Sequence, residues 1–488
     1  MLEPMNLITE NSRGFDFDLS LLAKDGTINI NESKTPLAHV HAGSFRRIFL
    51  HAQLQKWLSD LGYKVVFLIG NDDYDPYDYF PNYFNAEQKK RYGVFLGHPL
   101  CSVPAPVSGG SYADYYFNEM VEILHKNFGI TVVTYKTSEL YRQGVFDDGI
   151  KLVITNLNKL NEIYESMTGV KSKFNERPLQ IICPKCGNMR TTRILSYKGE
   201  KVEIICKDYV LRKVKFIGCG FSGWVSPYKG NGRLFWKLEW PIRWYYMKIG
   251  IEGSRKDQNS DLGARKFAEA VFKVLFNKNP PNNLPYDFCY VRSEHSSQIN
   301  RFGISATEAL KFLTPQLFFE LLTKPRSVQP IDMDLESEQM LKIYEDYSNK
   351  VFGDKDSQLF NRILEDVRFD LQTKWPVEQN LLAKCLHHYL HISQAEGAWF
   401  LDLTKKHCNK TEQDFLARLM NGLENVPDWQ SSNLQYKFGE IVANSNLTLH
   451  NACLIIYRLF INRQAGPRIG VLFEKIGRER LLKYLKSC

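Results

Sequence analysis

The sequence lacks any uninterrupted apolar run near 18 residues and any low-complexity tract. A transmembrane helix needs about 20 consecutive apolar residues, so we expect neither a membrane span nor a membrane partner. The first residues, MLEPMNLITENSRGFDFD, carry acidic side chains and have no apolar core, which predicts that they are not a signal peptide. The chain has 488 residues, of which 44% are apolar and 24% charged, as is typical of a globular protein with several domains.

Cysteine is scarce, because ten residues in a chain of this length do not indicate a disulfide scaffold. Four of them lie in one segment, which favours a reducing compartment, the cytoplasm, together with a metal site. Cys183 and Cys186 form a CxxC pair, and Cys206 and Cys219 follow, the last before a glycine. This pattern is typical of a structural zinc ribbon. The alternative is a ribbon that has lost its metal and is held by its strands.

Acidic residues are fewer than basic ones, and the net charge of +9 permits a polyanionic partner such as nucleic acid without requiring one.

The stretch from Ile28 to Pro76 predicts a strand, a loop, a helix and a second, buried strand. The helix follows His41-Ala42-Gly43-Ser44, and Ser44 is expected to cap it. Such a helix start offers N–H groups to an anion, Gly43 lets a ring or phosphate approach, and His41 can donate to an oxyanion. We therefore predict an α/β fold with a doubly wound, Rossmann-like parallel sheet and a nucleotide site. Taken alone, a histidine beside a glycine at a helix start is more often a cap or a satisfied loop residue than a ligand-binding one.

Three aspartates, Asp72, Asp73 and Asp75, directly follow the second predicted strand. Ligands bind at the carboxyl ends of parallel strands, so these carboxylates could hold a substrate ammonium or a ribose. A turn built on Asp75-Pro76 explains Asp75 equally well.

Changes of composition along the chain predict several segments. The last segment is all-helical, because its apolar residues recur at spacings of three and four. The segments are an N-terminal tail (1–27), the first half of an α/β domain (28–165), a zinc-ribbon insertion (166–230), the second half of the α/β domain (231–330) and an all-α domain (331–488).

In combination, these motifs resemble those of class I lysyl-tRNA synthetases over nearly the whole chain. His41-Ala42-Gly43-Ser44 stands at the family's His-x-Gly-Asn/His signature, and Asp72-Asp73-Tyr74-Asp75-Pro76 resembles its Asp-Asp-Phe/Tyr-Asp-Pro. Further blocks occur in the family's order, namely Ser111-Tyr112-Ala113, the cysteine segment, Trp240-Pro241 with Arg243-Trp244, Leu284-Pro285-Tyr286, Thr323-Lys324-Pro325 and Gly477-Arg478-Glu479-Arg480.

The resemblance implies ATP- and Mg²⁺-dependent adenylation of lysine or a related amino acid, followed by transfer to tRNA. It implies an acceptor-end domain at the zinc segment, a helical domain that reads the anticodon stem, and a monomer as the favoured state. His41, Gly43 and Ser44 would contact ATP. The implied substrate-binding residues are Ser33, Thr35, Asp73, Trp240, Gln258 and Tyr286.

The chain also departs from the family. Class I synthetases carry a Lys-Met-Ser-Lys-Ser loop whose lysines bind the triphosphate, and here the corresponding residues 295–303 read HSSQINRFG. No lysine remains, so Arg301 becomes the candidate catalytic and ATP-binding cation. Losing such a contact typically costs on the order of 10²–10³ in rate. Ser33 replaces a usual glycine, Gln258 replaces a histidine, and Tyr77-Asp78 replaces a basic pair.

Three functions are compatible with these observations. The first is a class I lysyl-tRNA synthetase-like ligase. The second is a divergent paralogue that adenylates an amino acid for an acceptor other than tRNA. The third is a catalytically inactive protein that binds tRNA or has a regulatory role.

Overall fold

The protein is represented by a computed structural model, which describes residues 26–107, 109–171, 174, 177–293, 303–337, 339–352, 357–369, 376–395, 408–461 and 468–486. The chain forms two compact units, Met1–Leu335 and Glu336–Cys488. Arg301 and most of its loop lie outside the described residues. Among the helices that are described, none combines the length and the apolar character needed to cross a bilayer.

The first unit mixes strands and helices. Its described strands are β1 (Ile28–Lys34), β2 (Val65–Asn71), β3 (Val133–Lys136), β4 (Leu179–Ile181), β5 (Thr192–Lys198), β6 (Lys201–Cys206), β7 (Tyr209–Leu211), β8 (Val214–Phe216), β9 (Ser222–Val225), β10 (Gly232–Leu234), β11 (Ile249–Arg255), β12 (Asn282–Tyr286), β13 (Cys289–Arg292) and β14 (Ile331–Asp334). Its described helices are α1 (Phe45–Asp60), α2 (Ala86–Gly93), α3 (Tyr112–Phe128), α4 (Thr137–Arg142), α5 (Asp147–Thr155), α6 (Leu157–Thr168), α7 (Trp236–Tyr246), α8 (Ala264–Phe276), α9 (Ala306–Phe312) and α10 (Pro315–Thr323).

A five-stranded sheet forms the centre of this unit, in the order β12-β11-β1-β2-β3. Every neighbouring pair in it is parallel; Asn31 of β1, for example, pairs with Glu252 of β11 and with Leu68 of β2. The chain runs outward from β1 in both directions, so the strand order reverses between β1 and β11. The doubly wound α/β fold is thus confirmed, and ligands of such folds bind at the carboxyl end of that reversal.

Antiparallel strands of the inserted segment form separate small sheets. β5, β6 and β9 make a three-stranded sheet, β7 and β8 make a hairpin, and β4 pairs with β10 where the chain enters and leaves the insertion.

The helix α1 packs against α3 and α10 through an aromatic cluster. Phe49 is fully buried, and its ring lies 4.7–5.9 Å from the rings of Phe128, Phe318 and Phe319. The helix ends at Asp60 and is followed by Gly62 with φ of +89°. The predicted capping role of Ser44 is wrong, since its side chain makes no cap hydrogen bond and its backbone is already helical.

The second unit is all-helical in its described part. Residues 331–335, which the sequence assigned to the all-α domain, lie instead in the first unit, where β14 pairs with β13. Its core consists of apolar side chains from the last five helices, including Phe438, Leu459 and Phe473. The helices are α11 (Gln339–Phe352), α12 (Ser357–Phe369), α13 (Val377–Ala395), α14 (Lys410–Glu424), α15 (Ser431–Ala443), α16 (Leu449–Ile461), α17 (Ile469–Ile476) and α18 (Arg478–Leu485).

His51 joins α1 to the sheet, and both of its ring nitrogens are hydrogen-bonded. Its Nδ1 donates to the Arg47 carbonyl at 2.7 Å, and its Nε2 accepts from the Gly253 N–H at 3.0 Å. The ring must be neutral to accept this bond, although a Glu32 oxygen lies 3.9 Å from Nδ1. Burial is the main cause that lowers the pKa of His51 from 6.5 to about 4.

This arrangement predicts a pH-dependent stability. Between pH 6.5 and 4 the unfolded chain takes up a proton that folded His51 does not, so stability falls as the pH falls through this window. The difference between the two pKa values corresponds to a loss of about 3 kcal/mol in the free energy of unfolding. Urea unfolding of His51→Gln should start from a lower stability and show a correspondingly weaker loss between pH 6.5 and 4. His125→Gln, at an exposed position of α3, is the control and should follow the wild type.

Candidate active site

A cavity of about 580 Å³ opens at the carboxyl ends of β1 and β11, where the strand order reverses. Small-molecule sites usually have about 300–1,000 Å³, so its size suits a substrate pocket. It brings together most of the residues predicted from the sequence. Its lining includes Ser33, Thr35, His41, Gly43, Ser44, Trp240, Gln258 and Tyr286.

The turn from His41 to Ser44 lies between β1 and β13. The Ala42 N–H donates to the Ile304 carbonyl at 2.8 Å, and His41 Nε2 lies 2.7 Å from Ser44 Oγ. Burial, followed by the charge of Lys34, lowers the pKa of His41 well below 6.5, so the imidazole is neutral at pH 7. The turn therefore presents neutral polar groups to the cavity.

Gly43 is required by the close approach of another strand. A Cβ at this position would lie 2.0 Å from the carbonyl oxygen of Cys289 in β13. Glycine thus serves packing at this point, in addition to the ligand access that the sequence suggested.

A chain of buried ion pairs forms one side of the cavity. Arg243 Nη2 donates to Asp72 at 2.7 Å and to Glu239 at 2.5 Å, and Arg233 Nε donates to the other Glu239 oxygen at 2.6 Å. Arg233 also pairs with Asp75. We call these five residues the α7 ion network. Burial raises the pKa of Asp72, but the charges of Arg243 and Arg233 outweigh it and lower the pKa to about 2.

The three aspartates after β2 have different surroundings. Asp72 and Asp75 line the cavity, whereas Asp73 is absent from its lining. The Asp73 carboxylate instead accepts from Ser138, at 2.8 Å from the backbone N–H and 2.5 Å from the hydroxyl. The structure thus puts Asp73 against the start of α4, away from the expected ligand.

The remaining predicted residues lie on the other cavity walls. Trp240 stacks beside Trp236 and Trp244 on α7, with ring centroids 6.3 and 5.5 Å away. Thr35 donates to Asp75. The Gln258 amide oxygen accepts from the Arg255 N–H at 3.0 Å, so it is engaged by its own turn.

Two groups of charged residues that line the cavity were not predicted from the sequence. Lys34, Arg47 and Arg255 lie near the His41 turn, while Glu239 and Arg243 belong to the α7 ion network. Charged side chains inside an otherwise buried strand or helix were the available signal. Lys34 is the last residue of β1, and Glu239 and Arg243 are four residues apart on α7.

The four predicted cysteines converge in the insertion. The sulfurs of Cys183, Cys186, Cys206 and Cys219 all lie within 4.8 Å of one another, and the 183–219 and 186–206 pairs are 3.6 and 3.8 Å apart. A tetrahedral ion with sulfur ligands at about 2.3 Å requires sulfurs about 3.8 Å apart. The donor set and its spacing therefore fit a metal ion such as zinc.

The cysteine knuckle contacts the cavity wall directly. His98 Nε2 donates to the Cys186 carbonyl at 2.7 Å, and the Met189 N–H donates to the Gly97 carbonyl at 2.8 Å. Arg190 Nε donates to Asp78 at 2.7 Å, and both residues line the cavity. The knuckle thus supports the loop that follows the three aspartates.

Comparison with known families and proteins gives a consistent result. The family model described as tRNA synthetases class I (K) matches residues 19–368. A lysine–tRNA ligase of Thermoplasma acidophilum is 24% identical over an alignment of 518 residues. The alignment covers 96% of this chain and 97% of that protein. One of Methanocaldococcus jannaschii is 26% identical over 351 residues, covering 70% of this chain and 63% of that protein.

Among solved structures, a glutamate-tRNA synthetase from Elizabethkingia anophelis aligns with 95% of this chain and 99% of its own, at 11% identity and a TM-score of 0.37. A score this low supports no inference about the present chain.

The contact at Gly43 yields a prediction. Gly43→Ala should force the turn away from β13, lowering the free energy of unfolding by about 1–3 kcal/mol and weakening the binding of ATP, the ligand expected here. Urea unfolding and calorimetric titration with ATP measure the two effects. Gly93→Ala, at the end of α2 with no atom closer than 4.0 Å to the new Cβ, is the control. Unchanged stability and affinity in Gly43→Ala would contradict the packing role.

Proposed function

Because this chain belongs to the class I (K) family of tRNA synthetases and is an aminoacyl-tRNA ligase, we propose that it activates lysine with ATP and transfers it to tRNA. The observation that carries the proposal is the cavity at the strand reversal, which joins the His41 turn to an ionised aspartate and an aromatic wall. In this scheme His41, Gly43 and Ser44 contact ATP, which binds with Mg²⁺. Ser33, Thr35, Trp240, Gln258 and Tyr286 surround the amino acid.

We assign the substrate ammonium to Asp72 instead of Asp73. The Asp72 carboxylate accepts from Arg243 and Thr137 on Oδ1, and the Ser33 side chain is a further hydrogen-bond partner. With a pKa of about 2 the carboxylate is ionised at pH 7. The ionised carboxylate is therefore suited to a cation, while the Asp73 carboxylate is committed to Ser138.

The first experiment is ATP–pyrophosphate exchange with each amino acid, followed by charging of tRNA. Lysine should support both reactions. Exchange without transfer would favour the paralogue with another acceptor, and tRNA binding without exchange would favour the inactive protein. If no amino acid supports exchange, the proposed activity is wrong.

Asp72→Asn tests the assignment of the ammonium. A hydrogen bond to a charged group is worth about 1.5–3 kcal/mol, so we expect the KM for lysine to rise about 10- to 100-fold while the KM for ATP changes little. Asp73→Asn should lower thermal stability and affect the lysine KM less. Asp60→Asn, on the exposed end of α1, is the matched control. A larger lysine effect in Asp73→Asn than in Asp72→Asn would reverse the assignment.

We propose that Cys183, Cys186, Cys206 and Cys219 bind a structural zinc ion, because four thiolates at tetrahedral spacing select zinc. The support for the cavity loop through Arg190 and His98 then depends on this metal.

Elemental analysis tests the zinc site. The wild type should contain about one zinc ion per chain, and Cys219→Ser should lose most of it, since three remaining thiolates bind zinc more weakly. The KM for lysine should rise in the same variant because Asp78 and Arg190 line the cavity. Cys453→Ser, whose cysteine is half-buried in α16, should retain the metal. A wild-type protein without zinc, or full retention in Cys219→Ser, contradicts the site.

The insertion and the second unit are proposed to contact the acceptor end and the anticodon stem of tRNA. We also propose that the protein acts as a monomer in the cytoplasm.

A further inference from the structure

Lys34 lies beside the His41 turn, at the carboxyl end of the central strand β1. Its Nζ donates to Ser44 Oγ at 3.3 Å, and Ser44 Oγ in turn lies 2.7 Å from His41 Nε2. The side chain lines the cavity. A primary ammonium is thus within reach of any anion that binds at the start of α1.

Of the cations near the start of α1, Arg46 is occupied by the carbonyls of Gln329 and Arg326, whereas Lys34 donates only to a hydroxyl among the described residues. Arg47 pairs with Glu32 at 3.1 Å, and Arg255 pairs with Asp257 at 2.6 Å. Among the described residues, no carboxylate forms an ion pair with Lys34 within 4.0 Å. Because Arg47 and Arg255 are already paired with carboxylates, the charge of Lys34 is available to a bound anion.

The electrostatic surroundings support this description. Burial and the nearby charge of Arg47 lower the pKa of Lys34 to about 7. Negative charge in the cavity would favour the protonated form and would relieve the repulsion from Arg47 and Arg255. The neutral His41 supplies no competing positive charge.

The sequence shows why such a cation matters. Residues 295–303 contain no lysine, although triphosphate binding at this loop in class I synthetases depends on lysines. Building on the proposed function, we propose that Lys34 binds the triphosphate of ATP and stabilises the pyrophosphate leaving group. Lys34 would then take over, from strand β1, a task that the loop lysines perform elsewhere.

The step balances without a further reactant. A carboxylate oxygen of the amino acid attacks the α-phosphorus, and a new O–P bond forms. The bond from that phosphorus to the oxygen bridging to the β-phosphorus breaks, and its electron pair leaves with pyrophosphate. Lys34 keeps its proton throughout and contacts the oxygens on which negative charge develops.

Two matched substitutions test the role. Lys34→Met removes the charge and keeps the length, and Lys34→Arg restores a charge. Lys56→Met, on the exposed side of α1, is the control. Binding of Mg-ATP and of adenosine is measured by calorimetry on the full chain, and kcat and KM for ATP are measured by pyrophosphate exchange. Thermal melting verifies that each variant is folded.

We expect Lys34→Met to bind ATP at least about 10-fold more weakly, with adenosine binding unchanged, because adenosine lacks phosphates. The exchange rate at saturating ATP should fall on the order of 10²-fold, as for loss of one transition-state donor. Lys34→Arg should recover part of both, and Lys56→Met should match the wild type.

Wild-type affinity and rate in Lys34→Met would overturn the inference, as would an equal loss of ATP and adenosine binding. If the wild-type protein binds ATP but exchanges pyrophosphate with no amino acid, the proposed function fails, and the comparison of ATP with adenosine still decides the role of Lys34. If the wild type binds no ATP, both the proposed function and the role of Lys34 are wrong.

Discussion

The α7 ion network is the interaction on which the geometry of the cavity depends. Glu239 accepts from Arg233, Arg243 and Tyr141, and the two arginines extend the network to Asp75 and Asp72. Removing one partner of a buried pair leaves an uncompensated charge, which costs several kcal/mol. The end of β2, strand β10 and helix α7 are therefore fixed relative to one another. A wall that is held so firmly can present the same oxygens and rings to every substrate molecule.

Charge is distributed unequally between the two sides of this cavity. On the α7 side, three carboxylates (Asp72, Asp75 and Glu239) face two guanidiniums (Arg233 and Arg243), so the balance is negative and favours a bound cation. Near the His41 turn, Lys34, Arg47 and Arg255 face Glu32 and Asp257, and the balance is positive. A site that must place an ammonium compound against a polyphosphate needs this kind of division, since opposite charges attract their ligands to opposite ends.

The sequence was informative wherever a local pattern determines the structure. The apolar run of β2, the glycine at the start of α1 and the spacing of the cysteines led to the parallel sheet, the turn and the thiol cluster. It was less informative where the role of a side chain depends on residues that are close in space but distant in sequence. Asp72 and Asp73 are adjacent in sequence, and only the position of Ser138 and Arg243 separates their roles. Likewise, the Ser44 hydroxyl bonds to His41 and Lys34 instead of capping the helix, which no propensity reveals.

Some departures from the family motifs have structural causes. Fewer of these substitutions therefore bear on catalysis. Tyr77 is fully buried, with its ring 5.1 Å from that of Tyr112, and Asp78 pairs with Arg190 of the cysteine knuckle. A basic pair at these positions would place one cation in an aromatic core and another beside an arginine. The replacement of the basic pair by Tyr77-Asp78 thus links the cavity loop to the insertion. Ser33 and Lys34 instead line the cavity, and they are the positions at which we expect altered chemistry.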